Sequence, residues 1–124
     1  EDLRPVVHAE DIVRMSEIAQ HVHVADVTKG YIIDIAEATR VEPDLLLGAS
    51  PRASLYLQRA ARTTAVVAGR DYVAPDDVKR MIGPVFNHRL IVRPEALMRG
   101  VGVDEILERV AKSVPVPGTR VAAG

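Results

Sequence analysis

The stretch from Ser50 to Gly69 carries both a helix start and a helix stop, and it constrains the fold more than any other part of the chain. Ser50 is a preferred N-cap, because its side chain accepts a bond from an unpaired backbone N–H, and Pro51 suits the first helical position, where an N–H is not needed. Gly69 can adopt the left-handed conformation that ends a helix. Small or apolar residues between them follow a helical period: Leu57, Ala60, Ala61 and Thr64. The sequence predicts a long helix from the Ser50 cap to about Ala68.

Helical periodicity and start signals predict further helices on both sides of this one. They cover about 9–20, 25–39, 75 onwards and 104–113. The predicted inward positions are Ile12, Met15, Ile18 and Val22 in the first; Val27, Tyr31, Ile32, Ile35, Ala36 and Ala38 in the second; Val78, Met81, Ile82 and Val85 in the fourth; and Ile106, Leu107 and Val110 in the last. Gly83 and Pro84 are expected to kink or divide the fourth helix.

The remaining segments are predicted to be connectors. Residues 41–49 form a loop, and Arg89–Arg93 forms a short strand or extended strut, too short to build a sheet. The stretch from Pro94 to Gly102 has no clear pattern. The predicted fold is therefore all-α, a small helical bundle with short extended connectors. One domain covers 1–118, and 119–124 is a frayed tail.

Composition narrows the class of protein. Hydrophobic residues make up 48% of the 124 residues but aromatic ones only 3%, so the core must be built from Ala, Val, Ile and Leu. Such a core favours tightly packed helices. A net charge of −1 provides no general field for nucleic acid or an anionic membrane. The chain has no cysteine, no apolar run long enough to span a membrane and no signal-peptide pattern, which predicts a cytoplasmic protein. It begins without Met, as an excerpt or a processed chain would.

Arg52 places a cation in the first turn of the long helix, at the positive end of its dipole. One interpretation is an exposed surface arginine without a special role, which local physics alone favours. The other is an anion contact, because a helix N-terminus presents N–H donors and a guanidinium can grip phosphate with two hydrogen bonds. Gly48 allows close backbone approach but completes no known phosphate motif, and the chain contains no Walker A sequence.

Other candidate sites have simpler explanations. Ser50 lacks the second glycine and the preceding strand of a nucleophile elbow, which argues against a serine hydrolase. His21, His23 and Asp26 lack further metal ligands, so no metal site is predicted. Asp76 and Asp77 are expected to compensate the dipole at the start of the fourth helix. The basic side chains of the segment 87–89 are expected to cap the end of that helix.

Six motifs together resemble the C-terminal lid domain of MoxR-type AAA+ ATPases. They are Tyr31–Ile33 with Ala38–Arg40, Leu47–Ala53, Gly69–Val73 with Pro75–Val78, and His88–Leu90, and the resemblance covers about residues 8–117. The segment 47–53 is the most specific, because it resembles the sensor 2 motif, whose arginine reaches the γ-phosphate of the nucleotide.

This resemblance implies that Arg52 contacts ATP, and that Tyr31 lies near the adenine side, although core packing is the favoured role for Tyr31. It also implies that ATP and Mg are held mainly by a preceding core domain, absent from this chain, which supplies the Walker motifs. The fragment alone is therefore expected to be inactive, and the full-length protein to hydrolyse ATP. The implied partners are the core domain, neighbouring subunits of a hexameric ring, a von Willebrand A-domain protein and client proteins, with no nucleic acid and no membrane span.

Two alternatives stay open from the residues alone. The first is a helical protein-interaction module without a nucleotide role, in which Arg52 is a surface residue. The second, less favoured, is a helical nucleic-acid binder that uses the arginines of the long helix. A Walker A sequence upstream of this chain would favour the lid over the interaction module.

Overall fold

A computed structural model describes residues 9–118, which form six helices and one two-stranded sheet. The elements are α1 (Ala9–Gln20), α2 (Asp26–Arg40), β1 (Leu45–Leu47), α3 (Pro51–Val67), α4 (Pro75–Phe86), β2 (Ile91–Val92), α5 (Pro94–Met98) and α6 (Val103–Ser113). The predicted all-α class is confirmed. Residues 1–8 and the predicted tail, 119–124, lie outside the described residues.

Helix α3 is the central element, and local signals set both of its ends as predicted. The Ser50 hydroxyl accepts a hydrogen bond from the Ala53 N–H at 3.2 Å, and Pro51 occupies the first helical position. At the other end, Gly69 adopts a φ of 81°, which a residue with a side chain rarely tolerates. The helix packs against α1, α2 and α4, while α6 packs against α2 and α4.

The core is built from short aliphatic side chains. Among the described residues, the buried hydrophobic side chains are Ala, Val, Ile and Leu except for Tyr31 and Phe86. Helix α3 contributes Ala53, Leu57, Ala61 and Ala65, all at most 1% exposed. Small side chains let helices approach each other closely. A core with few aromatic residues is therefore compatible with a closely packed bundle.

The connector between α2 and α3 is not the plain loop that the sequence predicts. Residues Leu45–Leu47 pair in antiparallel fashion with Ile91–Val92, with an irregularity between the two paired positions. The Arg93 N–H also donates to the Asp44 carbonyl at 2.8 Å. The expectation that 89–93 is too short to build a sheet is therefore wrong. The sequence does not reveal the partner strand, because three residues are too few to show a periodicity.

Further local details differ from the sequence analysis. Pro94–Met98, in the stretch for which the sequence predicts no element, forms a short helix, and α4 is not divided at Gly83 and Pro84. Ile18 and Val27 are exposed at 49% and 66%, because neighbouring positions on their helices face the core instead. The side chains of Ile12 and Met15 lie outside the described part. The inward positions of α6 are confirmed.

Candidate functional site

A cleft of about 410 Å³ opens where the turn between β1 and α3 meets the ends of two other helices. We call it the arginine cleft, because three arginines from three different segments line it. Arg40 comes from the last turn of α2, Arg52 from the first turn of α3, and Arg89 from the segment after α4. The remaining lining residues are Leu46, Leu47, Gly48, Ala49, Ser50, Ala53 and Tyr56.

The turn that leads into α3 is fixed against the end of α2. The Thr39 hydroxyl, fully buried, accepts a hydrogen bond from the Ala49 N–H at 2.8 Å, and the Arg40 Nε–H donates to the Ala49 carbonyl at 2.7 Å. A Cβ added at Gly48 would lie 2.7 Å from Arg40 Cα and 2.8 Å from the Thr39 carbonyl carbon. Only glycine allows the two backbones to come this close, so Gly48 positions the start of α3 against the end of α2.

Arg52 projects from the second residue of α3, where the dipole of a seventeen-residue helix is positive. Its side chain is exposed, and the first turn of α3 contains no acidic residue. The helix N-terminus and Arg52 therefore add positive potential on the same side of the cleft. Such a site favours an anion, since the backbone N–H groups and the guanidinium can donate to the same acceptor.

Arg89 lies in the same cleft and is positioned by two contacts. Its guanidinium carbon lies 4.5 Å from the centroid of the Tyr56 ring, a cation–π distance. One of its terminal nitrogens donates to the Val85 carbonyl at 2.9 Å, which caps the end of α4 as the sequence predicts. Arg59 approaches the Tyr56 ring less closely, at 5.9 Å, and does not line the cleft.

Among the residues whose side chains the structure describes, no carboxylate forms an ion pair with any of the three cleft arginines. Other arginines of the same chain are paired: Arg70 with Asp77 at 2.6 Å and Arg99 with Asp44 at 2.8 Å. Three guanidinium groups that share one cleft repel each other, and a polyanion would relieve that repulsion. The donor set fits phosphate groups, and it lacks the carboxylates that Mg²⁺ prefers.

Tyr31 does not line this cleft. Its side chain is 2% exposed and packs in the core, which is the favoured role from the sequence. Burial raises the pKa of the Tyr31 phenol, and the negative charge of Asp76 raises it further. The structure therefore does not bring Tyr31 and Arg52 together at the cleft, and an adenine contact by Tyr31 stays a prediction.

The other sequence-derived candidates can be placed as well. Within the part of the chain that the structure describes, no group of three or more His, Cys, Asp or Glu side chains could hold a metal ion. Asp77 accepts hydrogen bonds from the Ala74 N–H and from Arg70, so it acts at the start of α4 as expected. None of the described helices is long and apolar enough to cross a membrane.

Sequence reasoning missed Arg40, Tyr56 and Arg89 as members of the cleft. Tyr56 follows Arg52 by four residues, a spacing that places both on one face of a helix and could have been noticed. The other two reach the cleft from the ends of α2 and α4, and no local pattern indicates that these ends meet.

Residues 37–110 match the model of a known domain family, the AAA lid domain. The chain belongs to the AAA lid domain family. The match includes all three cleft arginines and most of the helical bundle. The resemblance to the C-terminal lid of MoxR-family AAA+ ATPases, inferred from the motifs, is thereby confirmed.

Individual relatives of this lid domain agree with the family. It is 37% identical over 122 residues to the uncharacterized protein YeaC of Bacillus subtilis, covering 98% of this chain and 38% of YeaC. It is 35% identical over 123 residues to the chaperone MoxR1 of Mycobacterium tuberculosis, covering 92% of this chain and 33% of MoxR1. The chain thus spans about a third of the length of these relatives.

A solved structure has the same fold. It is the crystal structure of a protein from Cytophaga hutchinsonii provisionally described as an ATPase, with a TM-score of 0.81 and 30% sequence identity. The match covers 86% of this chain and 35% of that one. In length, this lid domain therefore corresponds to about a third of each of these proteins.

Proposed function

We propose that this lid domain senses the nucleotide of a MoxR-like AAA+ ATPase, with Arg52 as the sensor 2 residue that contacts the γ-phosphate of ATP. The observation that carries the proposal is the position of Arg52 at the N-terminus of α3, in a cleft whose three arginines have no carboxylate partner among the described residues. The ATPase name of the Cytophaga protein and the MoxR names of the relatives support it.

Arg52 would act on the phosphate group by electrostatics. A guanidinium donates two parallel hydrogen bonds to a phosphate and stabilises negative charge that develops during phosphoryl transfer. ATP with Mg would supply the phosphoryl group itself, held mainly by a core domain that is not part of this chain. The lid alone is therefore not expected to hydrolyse ATP.

The turn before α3 would couple phosphate binding at Arg52 to the position of the rest of the lid. Gly48 and Ala49 are fixed to Thr39 and Arg40 at the end of α2, so a force on Arg52 moves α2 and α3 together. A γ-phosphate that holds Arg52 would thus bias the orientation of the whole lid. This is how we propose that hydrolysis is coupled to chaperone-like remodelling of client proteins.

The wider assembly belongs to the same proposal. As a AAA lid domain, the chain would contact its own core domain and neighbouring subunits of a hexameric ring in the cytoplasm. A von Willebrand A-domain protein is a further proposed partner. The chaperone name of MoxR1 supports the role in remodelling.

The decisive experiment is the Arg52→Ala variant of the ATPase that carries this lid. We expect the rate of ATP hydrolysis to fall by about 10²-fold, because one preorganised donor to developing charge is lost. The 124-residue chain with the same substitution should keep its helix content and its melting temperature. Removing a cation from a helix N-terminus is expected to be neutral or slightly stabilising.

The matched control is Arg80→Ala, which removes an exposed arginine of α4 that does not line the cleft. Its hydrolysis rate should equal that of the unchanged protein. Hydrolysis at the full rate by Arg52→Ala would contradict the proposal and favour a helical protein-interaction module.

A further inference from the structure

The sensor 2 role does not use the other two cations of the arginine cleft, of which Arg40 already donates its Nε–H to the Ala49 carbonyl. Arg89 enters from the segment after α4, far from Arg52 in sequence, and lies over the Tyr56 ring of α3. Because Tyr56 follows Arg52 by four residues, the two side chains emerge from one face of the helix about 6 Å apart. The Arg89 guanidinium therefore lies over a ring that neighbours Arg52 on α3, and both arginines line the same cleft.

Capping of α4 accounts for only part of the hydrogen-bonding capacity of Arg89. A guanidinium has five N–H donors, and the bond to the Val85 carbonyl at 2.9 Å occupies one nitrogen. No carboxylate whose side chain the structure describes forms an ion pair with Arg89, whereas Arg109 is paired with Glu42 at 2.6 Å and with Asp44 at 3.2 Å. The chain has 17 acidic residues, yet none of the described ones is placed against this cleft.

The Tyr56 ring supports the Arg89 guanidinium, whose carbon lies 4.5 Å from the ring centroid. Stacking on an aromatic face leaves the edge of the guanidinium, where its N–H groups lie, available for an acceptor in the cleft. An arginine that is already ordered loses less side-chain entropy when it binds an anion. The contact with Tyr56 thus orders the Arg89 side chain before a ligand binds.

We propose that Arg89 is a second phosphate-binding residue of the arginine cleft, and that Tyr56 is its positioning residue. The proposal rests on the proposed function, since it assigns Arg89 to the same polyphosphate chain that Arg52 contacts. Two guanidinium groups in one cleft suit a ligand with neighbouring phosphate groups better than one with a single charge.

The test is titration of the 124-residue chain with inorganic tripolyphosphate at low salt, followed by the NMR signals of residues 48–53 and of the arginine Nε–H groups. We expect saturable binding, weakened about tenfold by Arg89→Ala and by a similar factor by Arg52→Ala, since each removes a charged hydrogen bond. Arg59→Ala is the matched control, because Arg59 approaches the same ring but does not line the cleft. It should change the affinity less than twofold.

Three more variants separate positioning from folding. Tyr56→Phe keeps the aromatic face and should bind as the unchanged chain does, whereas Tyr56→Leu removes it and should weaken binding about threefold. Arg89→Lys keeps a donor for the end of α4 but loses the planar stack and the two-bond grip, so its affinity should also fall. These variants keep the proposal testable if Arg89→Ala does not fold.

The outcomes distinguish the two proposals. Binding that falls with Arg52→Ala but not with Arg89→Ala or Arg89→Lys overturns the role of Arg89 and leaves the sensor role of Arg52 standing. Binding that falls with the Arg89 variants but not with Arg52→Ala supports Arg89 and contradicts Arg52 as the sensor. Binding that is absent, or unchanged in every variant, overturns the role of Arg89, whereas the sensor role of Arg52 is decided separately by the hydrolysis rate of the Arg52→Ala ATPase.

Discussion

Gly48 holds the turn before α3 closer to the end of α2 than a residue with a side chain could. The nearest atoms to an added Cβ are backbone atoms of Arg40 and Thr39, which cannot rotate away. The same contact places Ala49 within hydrogen-bonding distance of Thr39 and Arg40. A residue without a side-chain functional group thus helps to determine where Arg52, the proposed sensor residue, lies.

We expect Gly48→Ala to lower the free energy of unfolding by about 1–3 kcal/mol, because the added methyl group forces two backbones apart. The matched control is Gly30→Ala in α2, where an added Cβ meets nothing within 4 Å. That change should raise the free energy of unfolding by about 0.5–1 kcal/mol, since alanine favours a helix interior over glycine. Urea denaturation of both variants measures the difference, and equal effects would contradict the close-contact role of Gly48.

At the scale of elements, the start of α4 depends on one carboxylate. Asp77 is 3% exposed and accepts hydrogen bonds from both terminal nitrogens of Arg70, at 2.6 and 2.8 Å. It also accepts a bond from the Ala74 N–H at 2.8 Å. Arg70 follows α3, so this ion pair connects the end of α3 to the beginning of α4.

The Arg70 hydrogen bonds hold the pKa of Asp77 below its usual range, and the Ala74 N–H lowers it further against the opposing effect of burial. A carboxyl whose pKa is lower in the folded state stabilises the fold above its unfolded pKa, about 3.9. That stabilisation is lost as the pH falls from there through the folded pKa. Urea denaturation between pH 7 and pH 2 should therefore show a steep loss of stability below about pH 4.

Asp77→Asn tests the source of this pH dependence, because asparagine keeps the shape of the side chain without its charge. We expect the variant to be less stable at pH 7 and to lose less stability on acidification. Asp76→Asn, at the exposed neighbouring position, should keep the slope of the unchanged protein. An unchanged slope for Asp77→Asn would assign the acid sensitivity to other carboxyl groups.

The whole molecule is a bundle that packs around a helix face made mostly of alanine. Ala53, Ala61 and Ala65 are at most 1% exposed, and α3 packs against three other helices. With only 3% aromatic residues, the bundle fills its interior by close approach of backbones rather than by large side chains. Such a core has little room for added volume.

We expect Ala61→Leu to lower the free energy of unfolding by about 1–3 kcal/mol or more, because the added carbon atoms must displace neighbouring helices. Ala68→Leu adds the same atoms at an exposed position just after α3 and should change stability by less than about 0.5 kcal/mol. Thermal and urea unfolding measure both. A tolerated Ala61→Leu would show that the bundle can expand there.

The candidate site could be predicted only in part. Ser50 and Pro51 fix the start of α3 and so place Arg52 in its first turn, but the resemblance to the lid family is what favours a phosphate role for Arg52 over a surface one. The sequence favours core packing for Tyr31, and the structure buries it, whereas the aromatic residue that lines the cleft, Tyr56, was missed. The pairing of Leu45–Leu47 with Ile91–Val92 was also missed, since strands this short carry no periodic signal.

By itself, the sequence determined the features that depend on neighbouring residues. These are the helix ends at Ser50 and Gly69, the amphipathic face of α6, the all-α class and the family motifs around Arg52. Only the tertiary structure decided that Arg40 and Arg89 meet Arg52 in one cleft without a carboxylate among the described residues. Helix ends are set by hydrogen bonds within a few residues, whereas the cleft depends on how three helix ends pack together, which no local pattern encodes.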